Sequence, residues 1–217
     1  MKNNVTELVF ILDRSGSMFH LADDTVGGFN ALIEKQKAQA GACFVTTVLF
    51  DDHVERLHDR LPLSDIPVMT RRDYVPGGST ALLDAVGSTI EHVADIYRYI
   101  RPEDVPENTV FVITTDGMEN ASRRFTKEQV RSLVEKKQAK ENWQFLFLGA
   151  NIDSFDAGSS LGFKRDHITN FVADGAGMQA NYDSVNEAVV CARMSMPIGA
   201  SWKASAEEDY KKRGKKH

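Results

Sequence analysis

Cysteine is almost absent from this chain of 217 residues: Cys43 lies in an apolar run and Cys191 in a helix-like one. Two thiols so placed read as small packing residues, which argues against a disulfide framework or a thiolate metal site. Long apolar runs are missing as well. No segment approaches the roughly 20 apolar residues that a membrane span requires. The opening stretch MKNNVTELVFILD is interrupted by acidic residues before a signal-like core can form. Positive charge is in deficit, with 26 Lys and Arg against 31 Asp and Glu. That balance argues against a general nucleic-acid binder, because gripping phosphates takes concentrated basic residues. The basic residues that do cluster form the terminal KKRGKKH, read as a solvated tail before an interaction arm. The triplets Asn4-Val5-Thr6 and Asn120-Ala121-Ser122 carry little weight as glycosylation sites without a secretion signal. No P-loop lysine motif occurs, so ATP hydrolysis by this chain is not expected. These absences lead to the expectation of a cytoplasmic, reducing setting with neither membrane nor nucleic acid as partner.

What is present alternates. LVFIL (8–12), TVFVITT (109–115) and WQFLFLG (143–149) are continuous apolar runs, the pattern of strands covered on both faces. CFVTTVLF (43–50) and HVERLHD (53–59) flank Asp51-Asp52 and predict a hairpin, its alternating second arm at a sheet edge. HITNFV (167–172) is a last strand. Helical spacing follows from about Asp24, from Thr80 through Tyr97, after the Thr126/Gln129 capping-box pair, over 154–161 with Gly162 as its stop, and from Met178 to a stop at Pro197. Pro62, Pro67, Pro76, Gly77 and Gly78 make 61–79 a long loop. The fold class is therefore α/β, Rossmann-like and doubly wound: a mostly parallel central sheet, one antiparallel edge strand, helices on both faces. Residues 1–197 are expected to form this domain. Residues 198–217 are expected to be an extension, partly disordered, with Trp202 available for packing.

In open sheets of this kind ligands lie beyond the carboxyl ends of the strands, where the strand order reverses. Three segments belong there: Asp13-Arg14-Ser15-Gly16-Ser17, Gly77-Gly78-Ser79-Thr80 and Thr114-Thr115-Asp116-Gly117. Taken alone, the first is as readily a capped strand end with a side-chain turn. Together the three supply two carboxylates and at least three hydroxyls, with no His or Cys among them. An all-oxygen set suits a hard divalent cation, Mg²⁺ or Mn²⁺, rather than zinc or copper.

The D-x-S-G-S turn, the G-G-S-T loop and the T-D-G strand end, occurring in that order, resemble the metal-ion-dependent adhesion site of von Willebrand factor A domains. The resemblance covers about residues 5–195. FLFLGANIDS (145–154) and TTDGMENAS (114–122) further resemble small stand-alone bacterial members of that family. It implies Ser15 and Ser17 as direct ligands of Mg²⁺ or Mn²⁺, Thr80 as the matching threonine, and Asp13 and Asp116 acting partly through water or through the ligating hydroxyls. Neutral ligands would leave the ion electrophilic, ready for a Glu or Asp from a protein partner. The implied function is an intracellular protein-binding adaptor and not an enzyme.

The same residues admit other readings. A Mg²⁺-dependent hydrolase or phosphatase would start from Asp13 as nucleophile but wants a second Asp two residues on, where this chain has Ser15. A serine hydrolase would need G-x-S-x-G or a base paired with a serine, such as His20. Gly175-Ala176-Gly177-Met178-Gln179-Ala180 fits a dinucleotide fingerprint but has no following strand or acidic residue at the right distance. Arg14, Phe19 and His20 read first as turn and packing residues and second as a rim around the ion. Glu119 and Asn120 read equally as a polar loop and as part of the same face.

Overall fold

In β1 (Val5–Asp13) every position but the first is buried, as its apolar run requires of a central strand. The computed structural model describes residues 4–213; the first three residues and the last four of the basic tail lie outside the described residues. β2 (Ala42–Phe50), β4 (Asn108–Thr115), β5 (Gln144–Gly149) and β6 (Ile168–Asn170) run parallel to β1, while β3 (Val54–Pro62) pairs with β2 antiparallel. The order is β3-β2-β1-β4-β5-β6, so the chain winds outward one way, returns, and winds out the other way. The reversal lies between β1 and β4, and it places the expected ligand crevice over the end of Asp13.

Successive residues of β1 point to opposite faces and so divide the core in two. Leu8, Phe10 and Leu12 pack under α1 (Ala22–Lys37) and α5 (Gly175–Arg193), against Phe29, Leu32, Val185 and Val189. Val9 and Ile11 pack under α2 (Leu82–Tyr99) and α3 (Lys127–Glu141), against Val86, Ile90, Val130 and Val134. The doubly wound class is as anticipated, including the exposed antiparallel edge.

Local signals act where the sequence puts them. Thr126 Oγ1 accepts from Gln129 N at 3.3 Å and Gln129 Oε1 from Thr126 N at 2.8 Å, closing the capping box of α3. Gly162, at φ +83°, stops the short α4 (Ser154–Ser160). β6 is shorter than the expected 167–172, because it pairs only with the last three residues of β5 and the chain then turns at Phe171 into α5.

After residue 197 Trp202 packs as expected, but the chain beyond it is helical where disorder was expected. A 3-10 turn (Ala200–Lys203) leads into α6 (Ala204–Arg213), which packs on α5 as part of the domain. Trp202 is buried, its Nε1 donating to Asp166 O at 2.9 Å. Lys203 lays its stem inside and donates its ammonium to Ile168 O at 2.8 Å. Arg213 pairs with Asp174 and Asp209 at the far end. The polar composition of α6 concealed its packing, in which Ala206 is the buried residue. Among the described residues no helix is long and apolar enough to cross a membrane.

Candidate metal centre

Asp13 is the last residue of β1 and Thr115 the last of β4, so the parallel register delivers both at one sheet end. Beyond Asp13 the chain bends at once: Ser15 N donates to Asp13 Oδ1 at 2.7 Å, a side-chain turn that starts the 3-10 segment Gly16–Leu21. The 77–80 loop is tied to this turn by Gly16 N to Gly78 O at 3.1 Å and Gly77 N to Arg14 O at 2.9 Å. Glycine suits position 78. Its φ is +68°, and a Cβ there would stand 2.1 Å from Asp52 Oδ1. The third segment is bound to the second through Asn120, whose Oδ1 accepts from Thr80 N at 2.9 Å and whose N donates to Thr80 O at 3.0 Å. Glu119 accepts from Leu83 N, Ala121 N and Ser122 N, joining the 117–122 turn to the start of α2. Of the two readings of Glu119 and Asn120, the structure gives them a fastening role.

The five candidate residues converge. Ser15 Oγ and Ser17 Oγ lie 3.1 Å apart, and Ser17 Oγ donates to Asp116 Oδ1 at 2.5 Å. A Cβ built on Gly117 would stand 3.0 Å from Thr80 Oγ1, 3.7 Å from Ser17 Oγ and 3.9 Å from Asp13 Oδ2. Oxygens from all three segments therefore face one small volume beside Gly117. Two further groups hold Asp13 in place, Thr115 of the third segment and Tyr74, which had no signal in the sequence pattern. Thr115 Oγ1 donates to Asp13 Oδ2, and the Tyr74 hydroxyl, fully buried in the proline-rich loop, donates to Asp13 O.

Asp13 is fully buried and Asp116 nearly so. Burial raises both carboxyls above the ordinary range; hydrogen bonds from Thr115 and Ser15 pull Asp13 back, and one from Ser17 pulls Asp116 back. Arg14 leaves them unneutralised, because its guanidinium turns to Asp51 at 2.9 Å and Glu55 at 2.6 Å. Asp116 Oδ2 is buried with no hydrogen-bond partner. An unmatched carboxylate oxygen in a buried, all-oxygen cradle is costly unless a cation meets it. The residues present therefore fit a hard divalent ion.

Around this volume Phe19 is 71% exposed and Met118 75% exposed, each two residues beyond a candidate site residue. Phe19 thus does not pack into a helix interface. His20 lies on the surface with Nε2 at 3.3 Å from Ala173 O. The 175–180 glycines serve packing: a Cβ on Gly177 would meet Val172 O at 2.0 Å, and one on Gly175 would meet the Asp24 carboxylate at 2.9 Å.

The chain shares its fold with solved von Willebrand factor A structures. The chain is similar to the ArnB paralog VWA2 from Sulfolobus acidocaldarius, with 17% identity and a TM-score of 0.56 over 87% of this chain and 45% of that one. It is similar to manganese-loaded TRAP protein from Plasmodium vivax, with 18% identity and a TM-score of 0.55 over 83% of this chain and 72% of that one. It is also similar to proximal thread matrix protein 1 from the mussel byssus with a zinc-occupied MIDAS motif, with 12% identity and a TM-score of 0.56 over 83% of this chain and 44% of that one. The chain spans less than half the length of the first and third of these. No family model and no curated protein matches it by sequence.

Proposed function

We propose that this chain is a metal-dependent protein-binding domain. Ser15, Ser17 and Thr80, with Asp13 and Asp116 behind or beside them, hold Mg²⁺ or Mn²⁺, and the ion supplies an electrophilic position for a Glu or Asp of a protein partner. The observation that carries this reading is the buried, unpartnered Asp116 Oδ2 beside converging hydroxyls of three segments. Two similar structures described as zinc-occupied and manganese-loaded support it. Neutral hydroxyl ligands cancel little of the ion's charge, which suits recognition of an outside carboxylate. Exposed Phe19 and Met118 add apolar surface beside the ion, as at the centre of a protein interface.

Binding without turnover is the reading for the chemistry. Both oxygens of Asp13 already accept hydrogen bonds, from Ser15 N and Thr115 Oγ1, which leaves a phosphatase-type nucleophile poorly free. An intracellular setting belongs to the same reading, and the free thiols of Cys43 and Cys191 are compatible with it. Calorimetric titration with MnCl₂ and MgCl₂ tests the core of the reading. One ion bound by the wild type and none by Asp13→Ala is the expected result. Wild-type-like binding by Asp13→Ala overturns it, and Mg²⁺-dependent turnover of an aryl phosphate would make the domain an enzyme.

A further inference from the structure

We infer that Asp84, Glu119 and Ser122 are positioning residues of the metal centre: they close a capping box between the start of α2 and the turn after β4, and so set Thr80 against Asp116. The inference rests on the metal reading given above. A helix leaves its first backbone N–H groups without partners inside the helix, and a Ser, Thr, Asp or Asn at the cap commonly meets them. α2 has Ala81 at that place, which offers no side-chain acceptor. Its open N–H groups are met instead from 36 and 38 positions along the chain: Leu83 N donates to Glu119 Oε2 at 2.9 Å and Asp84 N to Ser122 Oγ at 3.0 Å. In the other direction the Asp84 carboxylate accepts from Arg123 N at 2.9 Å, Arg124 N at 2.9 Å and Phe125 N at 2.8 Å. This is the reciprocal bonding of a capping box, made between two segments and not within one helix.

The box also satisfies the backbone of the turn. Residues 116–126 form no helix or strand, yet every amide from Asn120 to Thr126 has an acceptor. Asn120 donates to Thr80 O, Ala121 and Ser122 to Glu119 Oε1, the next three to Asp84, and Thr126 to Gln129 Oε1. Ser122 Oγ donates to Glu119 Oε2 at 2.8 Å, which ties the two acids' bonds into one network. Phe125 closes the turn onto α2, near enough that a Cβ on Gly87 would stand 2.6 Å from its ring. A cap from a neighbouring residue would fix only the start of a helix. A cap from this turn fixes the start of α2 relative to the end of β4, and two of the metal segments leave from that junction. Thr80 stands two residues before α2 and Asp116 one residue after β4, with Asn120 bonded to both N and O of Thr80. The candidate oxygens of these segments keep their spacing while the box is closed.

The test is amide hydrogen exchange by NMR on the full chain, without metal and with Mg²⁺ at about 100 times its dissociation constant. Where opening of the box disperses the candidate oxygens, the ion favours the closed form by mass action, and exchange at Leu83 and Asp84 should slow about 100-fold. Gln129 N, capped by Thr126 Oγ1 at the start of α3, is the internal control and should slow far less. Exchange at Leu83 and Asp84 that ignores Mg²⁺, or that slows no more than at Gln129, overturns the inference. Ser122→Ala cuts the bonds to Asp84 N and to Glu119, and its Mg²⁺ affinity by calorimetry should fall about tenfold. Ser122→Thr keeps the hydroxyl and should restore it. Thr126→Ala, which removes a hydroxyl cap from α3 instead, should bind Mg²⁺ as the wild type does. Wild-type affinity in Ser122→Ala, no recovery in Ser122→Thr, or an equal loss in Thr126→Ala overturns the positioning role. Should Ser122→Ala not fold, exchange in the wild type decides alone. Failure of the wild type to bind Mg²⁺ overturns the metal reading itself, and the positioning role with it.

Discussion

Ser17 Oγ donates to Asp116 Oδ1, joining the turn after β1 to the turn after β4 across 99 residues of sequence. The bond aims the hydroxyl's proton at the carboxylate and turns its lone pairs toward Ser15 Oγ and the volume beside Gly117. Asp116 therefore orients Ser17 as well as contributing charge. Asp116→Asn keeps the size and an acceptor oxygen but removes the charge. Its Mn²⁺ affinity is expected to fall about 10- to 100-fold, the usual cost of disturbing groups that orient metal ligands. The metal-free variant should melt no lower than wild type at neutral pH, because burial raises the Asp116 carboxyl and penalises its charge. Calorimetry with paired thermal melts checks both; unchanged Mn²⁺ affinity would remove Asp116 from the site.

At the opposite end of β1, burial pushes the Glu7 carboxyl up to about 7, although Arg60 at 3.0 Å and a hydrogen bond from Thr46 pull it down. A carboxyl whose folded value lies above its unfolded one stabilises the fold fully only below the unfolded value, near 4.5. That contribution fades as pH rises toward 7. Wild-type stability in urea should therefore lose about 2 kcal/mol between pH 5 and pH 8 from this group. Glu7→Gln should flatten that slope, whatever constant offset it adds by leaving Arg60 without a counter-charge. Parallel slopes for the two proteins would show that Glu7 stays ionised.

How far the sequence carries the fold and the site depends on which interactions are local. The strands were legible because β1, β4 and β5 are buried on both faces and show as unbroken apolar runs. The candidate segments stood out because Asp13, Ser15, Ser17, Thr80 and Asp116 sit at strand ends or beside paired glycines, where polar side chains contrast with those runs, and the structure brings them together. The supporting roles of Tyr74, Thr115 and Asn120 were not legible, although the last two stood in or beside a candidate segment, since each acts through long-range hydrogen bonds that leave no periodicity. α6 failed for a related reason. Its helix is polar nearly all round, and the evidence that it packs lies in Trp202 and Lys203 just before it.

That arrangement makes Trp202 a stability determinant. It is buried beneath the 3-10 turn, and its Nε1 reaches Asp166 O beside the start of β6. Trp202→Ala should cost about 3–5 kcal/mol, the range for emptying a buried aromatic site. Removal of 198–217 should cost at least as much. Mn²⁺ affinity of the folded fraction should be unaffected, because no described residue of this segment shares a hydrogen bond or ion pair with the candidate ligands. Chemical denaturation of the two variants measures it; a loss under about 1 kcal/mol would return the segment to the status of a loose tail.

Gly117 gives the sharpest separation of site from fold. The residue lies on the surface-side turn after β4, so an added methyl meets no core side chain. What it meets is Thr80 Oγ1 at 3.0 Å, with Ser17 Oγ and Asp13 Oδ2 just beyond. Gly117→Ala thus puts carbon where the three segments converge, displacing the oxygens from one another by a few tenths of an ångström or more. Hard cations hold their oxygen ligands at about 2.0–2.6 Å and Mg²⁺ tolerates little distortion. The expected outcome is a Mg²⁺ affinity reduced at least about tenfold, a smaller loss for the more forgiving Ca²⁺, and a melting temperature of the metal-free protein close to wild type. Calorimetry with the two ions distinguishes this from general damage, which would weaken both alike. Wild-type Mg²⁺ binding by Gly117→Ala would place the ion elsewhere than in the crevice between Asp13, Thr80 and Asp116.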